Sequence, residues 1–169
     1  FIVNHCYRDK ADRYVRMHGN LNFGGGGAFH DVTYVLKNYG LAPEDAYPGL
    51  HYGTEKHVHG ELDQVLLKYV KGVIENKNKK LTPVWKKGFD GIINTYLGEV
   101  PEEFEYKGKK YSPKSFADNV LGLNADNYVE LTSFTHHPFY SKFILEVPDN
   151  WLWNEVYNLP LDEFEQVID

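Results

Sequence analysis

The sequence predicts an α+β fold, rich in helix with minor β, on three grounds. Most apolar residues recur three and four positions apart, the period that builds one face of a helix. Only short stretches, residues 104–111 and 128–134 chief among them, alternate apolar and polar as half-buried strands do. The third ground is size: 169 residues with 42% apolar content suit one domain with a sizeable core, and not two.

The first helix is predicted from Val3, Tyr7, Ala11, Tyr14 and Val15 on one face, with Arg8, Asp9, Lys10 and Arg13 mostly opposite. Gly19 ends it. Four consecutive glycines follow, from Gly24 to Gly27. Without side chains they can take positive φ and let another chain approach the backbone. A second helix is predicted over residues 28–39, with Val32, Val35, Leu36 and Tyr39 buried and Gly40 as its left-handed stop. Pro43 and Pro48 bracket the turn-rich residues 41–53. Leu62, Val65, Leu66, Tyr69, Val70 and Val73 mark a longer amphipathic helix, closed by the polar run 75–80. Thr82 and Pro83 suggest a hydroxyl cap and a first-turn proline for the next helix. Its apolar face is Trp85, Phe89, Ile92, Ile93 and Tyr96, and its stop is Gly98. Residues 104–111 read as a hairpin turning at Lys107-Gly108. Ser112-Pro113 opens a short helix ending near Gly122, and residues 128–134 and 143–147 are strand candidates. Helical spacing returns over residues 161–169.

Eighteen basic against twenty-four acidic residues give a net charge of −6, which argues against nucleic acid or an anionic membrane as partner. No apolar run approaches the roughly 20 residues that span a bilayer. The single cysteine, Cys6, excludes an internal disulfide framework and a multi-cysteine zinc site. The chain begins at Phe1 inside one apolar-periodic stretch and stops inside another, so a piece of a longer protein is expected.

After the glycine run come Asp31, Tyr34-Val35-Leu36, Tyr39-Gly40 and Pro43-Glu44-Asp45-Ala46-Tyr47-Pro48. This order, a glycine turn, an acidic residue on a helix and then Tyr-Pro, resembles the papain-like cysteine peptidases. Phe1-Ile2-Val3-Asn4-His5-Cys6 is similar to the stretch that precedes the turn in that family. Pro101-Glu102-Glu103-Phe104-Glu105-Tyr106, Ser112-Pro113-Lys114-Ser115-Phe116 and Asn158-Leu159-Pro160-Leu161 are similar to parts of the helical insertion in its bleomycin hydrolase and aminopeptidase C branch. The resemblance implies a papain-like fold, mostly its helical part plus that insertion. Residues 1–50 would belong to the helical lobe, 51–157 to the insertion, and 158–169 to the start of the return to the core.

The resemblance also implies peptide-bond hydrolysis by a Cys thiolate paired with a His, without a cofactor. It implies a peptide substrate, a cytoplasmic location, a homo-oligomer (a hexamer in the family) and packing against the remaining parts of the parent chain. Neither the family's nucleophile signature nor its later His and Asn segments occur here. The resemblance therefore puts them outside this sequence: no catalytic residue is assigned, and the chain alone is expected to be inactive. What it leaves to this chain is a substrate-binding wall at Gly25, Gly26, Gly27 and Ala28, where an extended peptide pairs with bare backbone as at a sheet edge. Papain's cysteine in this turn is a glycine here, so that disulfide cannot form. The second cleft glycine of the family falls at Ala28.

Other residues compete for chemistry. Cys6 could be a nucleophile with His5 or His30 as base, but neighbours on a helix point about 100° apart. A small buried hydrophobe is the simpler role for Cys6. His57 and His59 with Glu61, and the pair His136-His137, are candidate metal ligands; no HExxH string is present, and no metal is expected. Asp31 at a helix start should cap or pair. Trp151 and Trp153 belong to the core or to a specificity pocket, the core being preferred. Two other functions stay open. One is a non-catalytic peptide- or carbohydrate-binding module drawing on the 15% aromatic content, and the other is a His-ligated metal hydrolase.

Overall fold

The computed structural model describes residues 1–168. Its four long helices are α1 (Ile2–Arg16), α2 (His30–Tyr39), α3 (Gly60–Ile74) and α4 (Trp85–Leu97). Three of them meet along stripes of every third or fourth residue. Tyr7, Ala11 and Tyr14 of α1, Leu62, Leu66 and Val70 of α3, and Phe89, Ile93 and Leu97 of α4 form one core, with Phe23 and Tyr47 inserted from the connections. Each fully buried Leu, Ile, Val or Phe among them stabilises the fold by about 1.5–3 kcal/mol. The three-helix core therefore fixes where α1 sits, and with it everything that α1 presents to α2.

The α2 helix ends at Gly40, whose φ of 79° suits glycine and whose amide donates to Leu36 O at 3.1 Å. A Cβ there would also collide with the backbone of Pro113, and Leu41 N donates to Pro113 O at 3.1 Å. The hairpin β1 (Phe104–Tyr106) and β2 (Lys109–Tyr111) leads into α5 (Pro113–Phe116). Ser112 and Ser115 cap α5 reciprocally, with Pro113 in its first turn. A π-helical turn, Ala117–Leu121, and a 3₁₀ turn, Ala125–Asn127, carry the chain to a three-stranded sheet. Its strands are β3 (Leu131–Thr132), β4 (Ser141–Ile144) and β5 (Glu155–Asn158), in the order β3-β5-β4. The β3 strand runs parallel to β5, and β4 runs antiparallel to it with Ser141 opposite Asn158. The last helix is α6 (Leu161–Ile168); Asp169, part of the predicted helix, lies outside the described residues.

The α+β expectation holds, and the predicted helices are all present. Five details differ, the first being that the strand predicted over residues 143–147 lies at Ser141–Ile144. The α2 helix starts at His30 rather than at residue 28. The Thr82-Pro83 start is wrong: α4 begins at Trp85, with Val84 at its N-cap and no side-chain cap. The predicted strand over residues 128–134 shrinks to two residues. Asn124 caps a 3₁₀ turn just before it, and the buried side chain of Asn158 takes both the amide and the carbonyl of Phe134 just after it. Strand β5 was not predicted. Its pattern of exposed Glu155, buried Val156, half-buried Tyr157 and buried Asn158 puts an amide where sequence patterning expects an apolar side chain. Among the described residues, no helix is long and apolar enough to cross a membrane.

Candidate functional site

The glycine run lies over a cleft of about 240 Å³. Ile2, Val3, Cys6, Tyr7 and Lys10 of α1 line one side, Gly24 to Ala28 the other, and Asp31 of α2 closes one end. Gly25, Gly26 and Gly27 are exposed and Ala28 is half-buried, so all four residues predicted to form a peptide wall border the same cleft. The reason for glycine is not the one expected. Left-handed backbone occurs elsewhere, as at Gly19 and Gly40, and not at residues 24–27. What folding adds is close neighbours. A Cβ on Gly25 would stand 2.9 Å from Asp63 Oδ2, one on Gly26 would collide with the Asp149 carboxylate, and one on Gly27 with that of Asp31. Three carboxylates from three parts of the chain crowd this loop.

A single cation holds the loop against them. Lys10 is 4% exposed, and its ammonium donates to Gly24 O at 2.9 Å and to Gly26 O at 2.6 Å. Burial pushes the Lys10 pKa down, while neighbouring Asp31 opposes that shift. Placed on the polar face of α1 by its sequence pattern, Lys10 is in fact a buried anchor of the site. Asp31 is buried too and pairs rather than caps: Trp151 Nε1 donates to its Oδ2 at 2.8 Å. Burial raises the Asp31 pKa, and the bond from Trp151 with the charges of His30 and Lys10 partly offsets the rise. Next to it, buried His30 bridges two distant groups, with Nδ1 on Glu130 and Nε2 on Asn150 Oδ1 at 2.8 Å. With both ring nitrogens engaged, His30 clamps α2 to residues 130 and 150 and is not free to serve Cys6.

Cys6 is no nucleophile in this setting. Burial, with Asp31 adding to it, pushes the thiol up to about 12, so at neutral pH it is protonated. His5 does not face it as a base. The ring stacks on Tyr39 with centroids 3.9 Å apart at 18°, and burial lowers its pKa to about 4.

The remaining candidates separate. Trp151 is in the core, whereas Trp153 is 48% exposed and lies under the Arg13 guanidinium, 4.5 Å from its ring centre. Both border a second cavity, about 690 Å³, on another face of α1 beside Arg8, Asp12, Trp85 and Lys86. That cavity is charged and open, and it touches none of the glycines. The rings of His57 and His59 are parallel, 5.8 Å apart, but Glu61 accepts from Tyr96 Oη at 2.6 Å instead of joining them. His136 and His137 do meet a carboxylate, that of Glu146, ten and nine positions away and with no sequence pattern linking it to them.

No protein-family model matches the chain, and no curated protein sequence does. Among solved structures the fold is similar to that of PepW from Lactobacillus rhamnosis HN001 (DR20), with a TM-score of 0.68. Identity is 16%, over 99% of this chain and 46% of that one. The chain thus spans just under half the length of PepW, and what the two share is the fold.

Proposed function

We propose that this chain forms the glycine-loop wall of the substrate groove in a cysteine peptidase of the bleomycin hydrolase and aminopeptidase C kind. An extended peptide lies along Gly25 to Ala28 and pairs with exposed backbone there, while its side chains meet the apolar floor of Ile2, Val3 and Cys6. The thiolate, its histidine and the orienting asparagine come from other parts of a longer protein. In this reading residues 1–50 belong to the helical lobe, 51–157 to the insertion and 158–169 to the return, and the whole protein is a cytoplasmic homo-oligomer. The thiolate attacks the scissile carbonyl, the histidine protonates the departing amine, and water releases the acyl group as free acid. One observation carries the proposal. Three exposed glycines border a cleft, and their loop is pinned by buried Lys10 reaching from the α1 side of that cleft, in a fold similar to that of PepW.

The test has two arms. Titrating the chain with a short blocked peptide should shift the amide signals of residues 25–28 above all others, with no peptide cleaved. In the longer protein, an epoxide that traps active thiols should label a cysteine other than Cys6. Shifts clustered elsewhere, cleavage by this chain alone, or label on Cys6 would each overturn the reading.

A further inference from the structure

The turn between β3 and β4 brings two consecutive histidines to one carboxylate. In an extended strand such neighbours point to opposite faces. Residues 135–137 are turned instead, and both rings aim Nε2 at Glu146 Oε2, from 3.3 Å for His136 and 3.0 Å for His137. One ligand atom from each of the three residues lies within 4.8 Å of the other two. The rings are held from behind. His137 stacks on Phe143 with centroids 3.8 Å apart at 16°, and its carbonyl accepts from buried Asn158 Nδ2 at 3.1 Å. His136 packs edge-on against Phe134 at 5.4 Å.

Ligand atoms about 2.0–2.2 Å from a tetrahedral metal stand about 3.3 Å from one another. The two His–Glu separations are therefore already close to those of a metal's ligand shell. We propose that His136, His137 and Glu146 form a surface site for a borderline divalent cation, best fitted by Zn²⁺, with the fourth position left to water. Two imidazoles and one carboxylate suit zinc, whereas Mg²⁺ and Ca²⁺ require six or more oxygen ligands. On binding, each Nε2 lone pair turns to the metal, and the hydrogen it carried towards Glu146 leaves to solvent or reappears on Nδ1. The ion would fasten the chain beyond β4 to the β3–β4 turn and so brace the outer strand of the sheet. None of the three residues borders the glycine cleft, so this site stands apart from the proposed peptidase reading.

The experiment is calorimetric titration of Zn²⁺ into the chain in a non-chelating buffer. Three variants accompany it: Glu146→Gln, the double change His136→Ala with His137→Ala, and His57→Ala with His59→Ala as a control on the other histidine pair. One equivalent of zinc should bind. Affinity should fall at least about tenfold in Glu146→Gln, vanish in the double variant and be unchanged in the control, and Mg²⁺ should give no signal. No zinc uptake, unaltered uptake by the double variant or by Glu146→Gln, or loss confined to the control would overturn the site. Far-UV dichroism checks that the variants fold; should the double variant not fold, Glu146→Gln decides.

Discussion

Replacing His5 by phenylalanine should flatten the acid limb of stability. The His5 ring lies between Phe1, at 4.6 Å, and Tyr39, at 3.9 Å, with Nε2 buried and unpartnered among the described residues. Burial, reinforced by nearby Arg8, lowers its pKa from 6.5 to about 4. Between those two values the unfolded chain takes up a proton that the folded chain refuses, so stability falls as pH falls through that window. Each pH unit inside it costs about 1.4 kcal/mol. Going from pH 7 to pH 5 therefore removes about 2 kcal/mol through this one group, or about 1–2 kcal/mol after solvent screening of a half-buried ring. Phenylalanine keeps the stack and does not titrate. Urea denaturation at both pH values should show the loss in the parent reduced by that amount in His5→Phe. With a slope of about 2 kcal/mol per molar urea, this is a midpoint difference of about 0.5–1 M. Equal pH dependence in the two proteins, to within about 0.5 kcal/mol, would refute the argument that His5 is buried and neutral.

Lys10→Met removes two charge-assisted hydrogen bonds, each contributing about 1.5–3 kcal/mol, but also relieves the burial of an ammonium. A net loss of about 2–4 kcal/mol in urea denaturation is expected, with faster hydrogen exchange at residues 24–27; a change under about 1 kcal/mol would show that the loop holds itself. Asn158→Ala deprives Phe134 N and O, His137 O and Pro138 O of partners at 2.8–3.2 Å. It should cost about 3 kcal/mol or more by the same measurement. Cys6, with its thiol pushed up to about 12, should react with an aromatic disulfide at pH 8 at least about tenfold more slowly than free cysteine, the fall in thiolate fraction outweighing the higher nucleophilicity of a more basic thiolate, and at the ordinary rate once denatured.

Much of this chain was legible locally. The stripes Tyr7-Ala11-Tyr14, Leu62-Leu66-Val70 and Phe89-Ile93-Leu97 are periodic in sequence and buried together in space, because an amphipathic helix carries its own burial pattern wherever it docks. The stop at Gly40, the hairpin over residues 104–111 and the serine-capped turn at Ser112 are likewise written in neighbouring residues. The glycine run marked the candidate groove at Gly25 to Ala28.

The reasons behind that groove were not legible. Sequence alone suggested glycine for its backbone freedom, whereas folding brings Asp31, Asp63 and Asp149 against residues 25–27, so that a Cβ there would displace their carboxylates. Lys10 read as a solvent-facing cation until the loop's carbonyls closed around it. Strand β5 and the cluster of His136, His137 and Glu146 exist only through partners 9 to 26 positions away. Helical faces follow from a period of 3.6 residues and so can be read from the chain itself. The environment of a buried charge or a short strand is set by groups that only tertiary folding brings within a few ångströms.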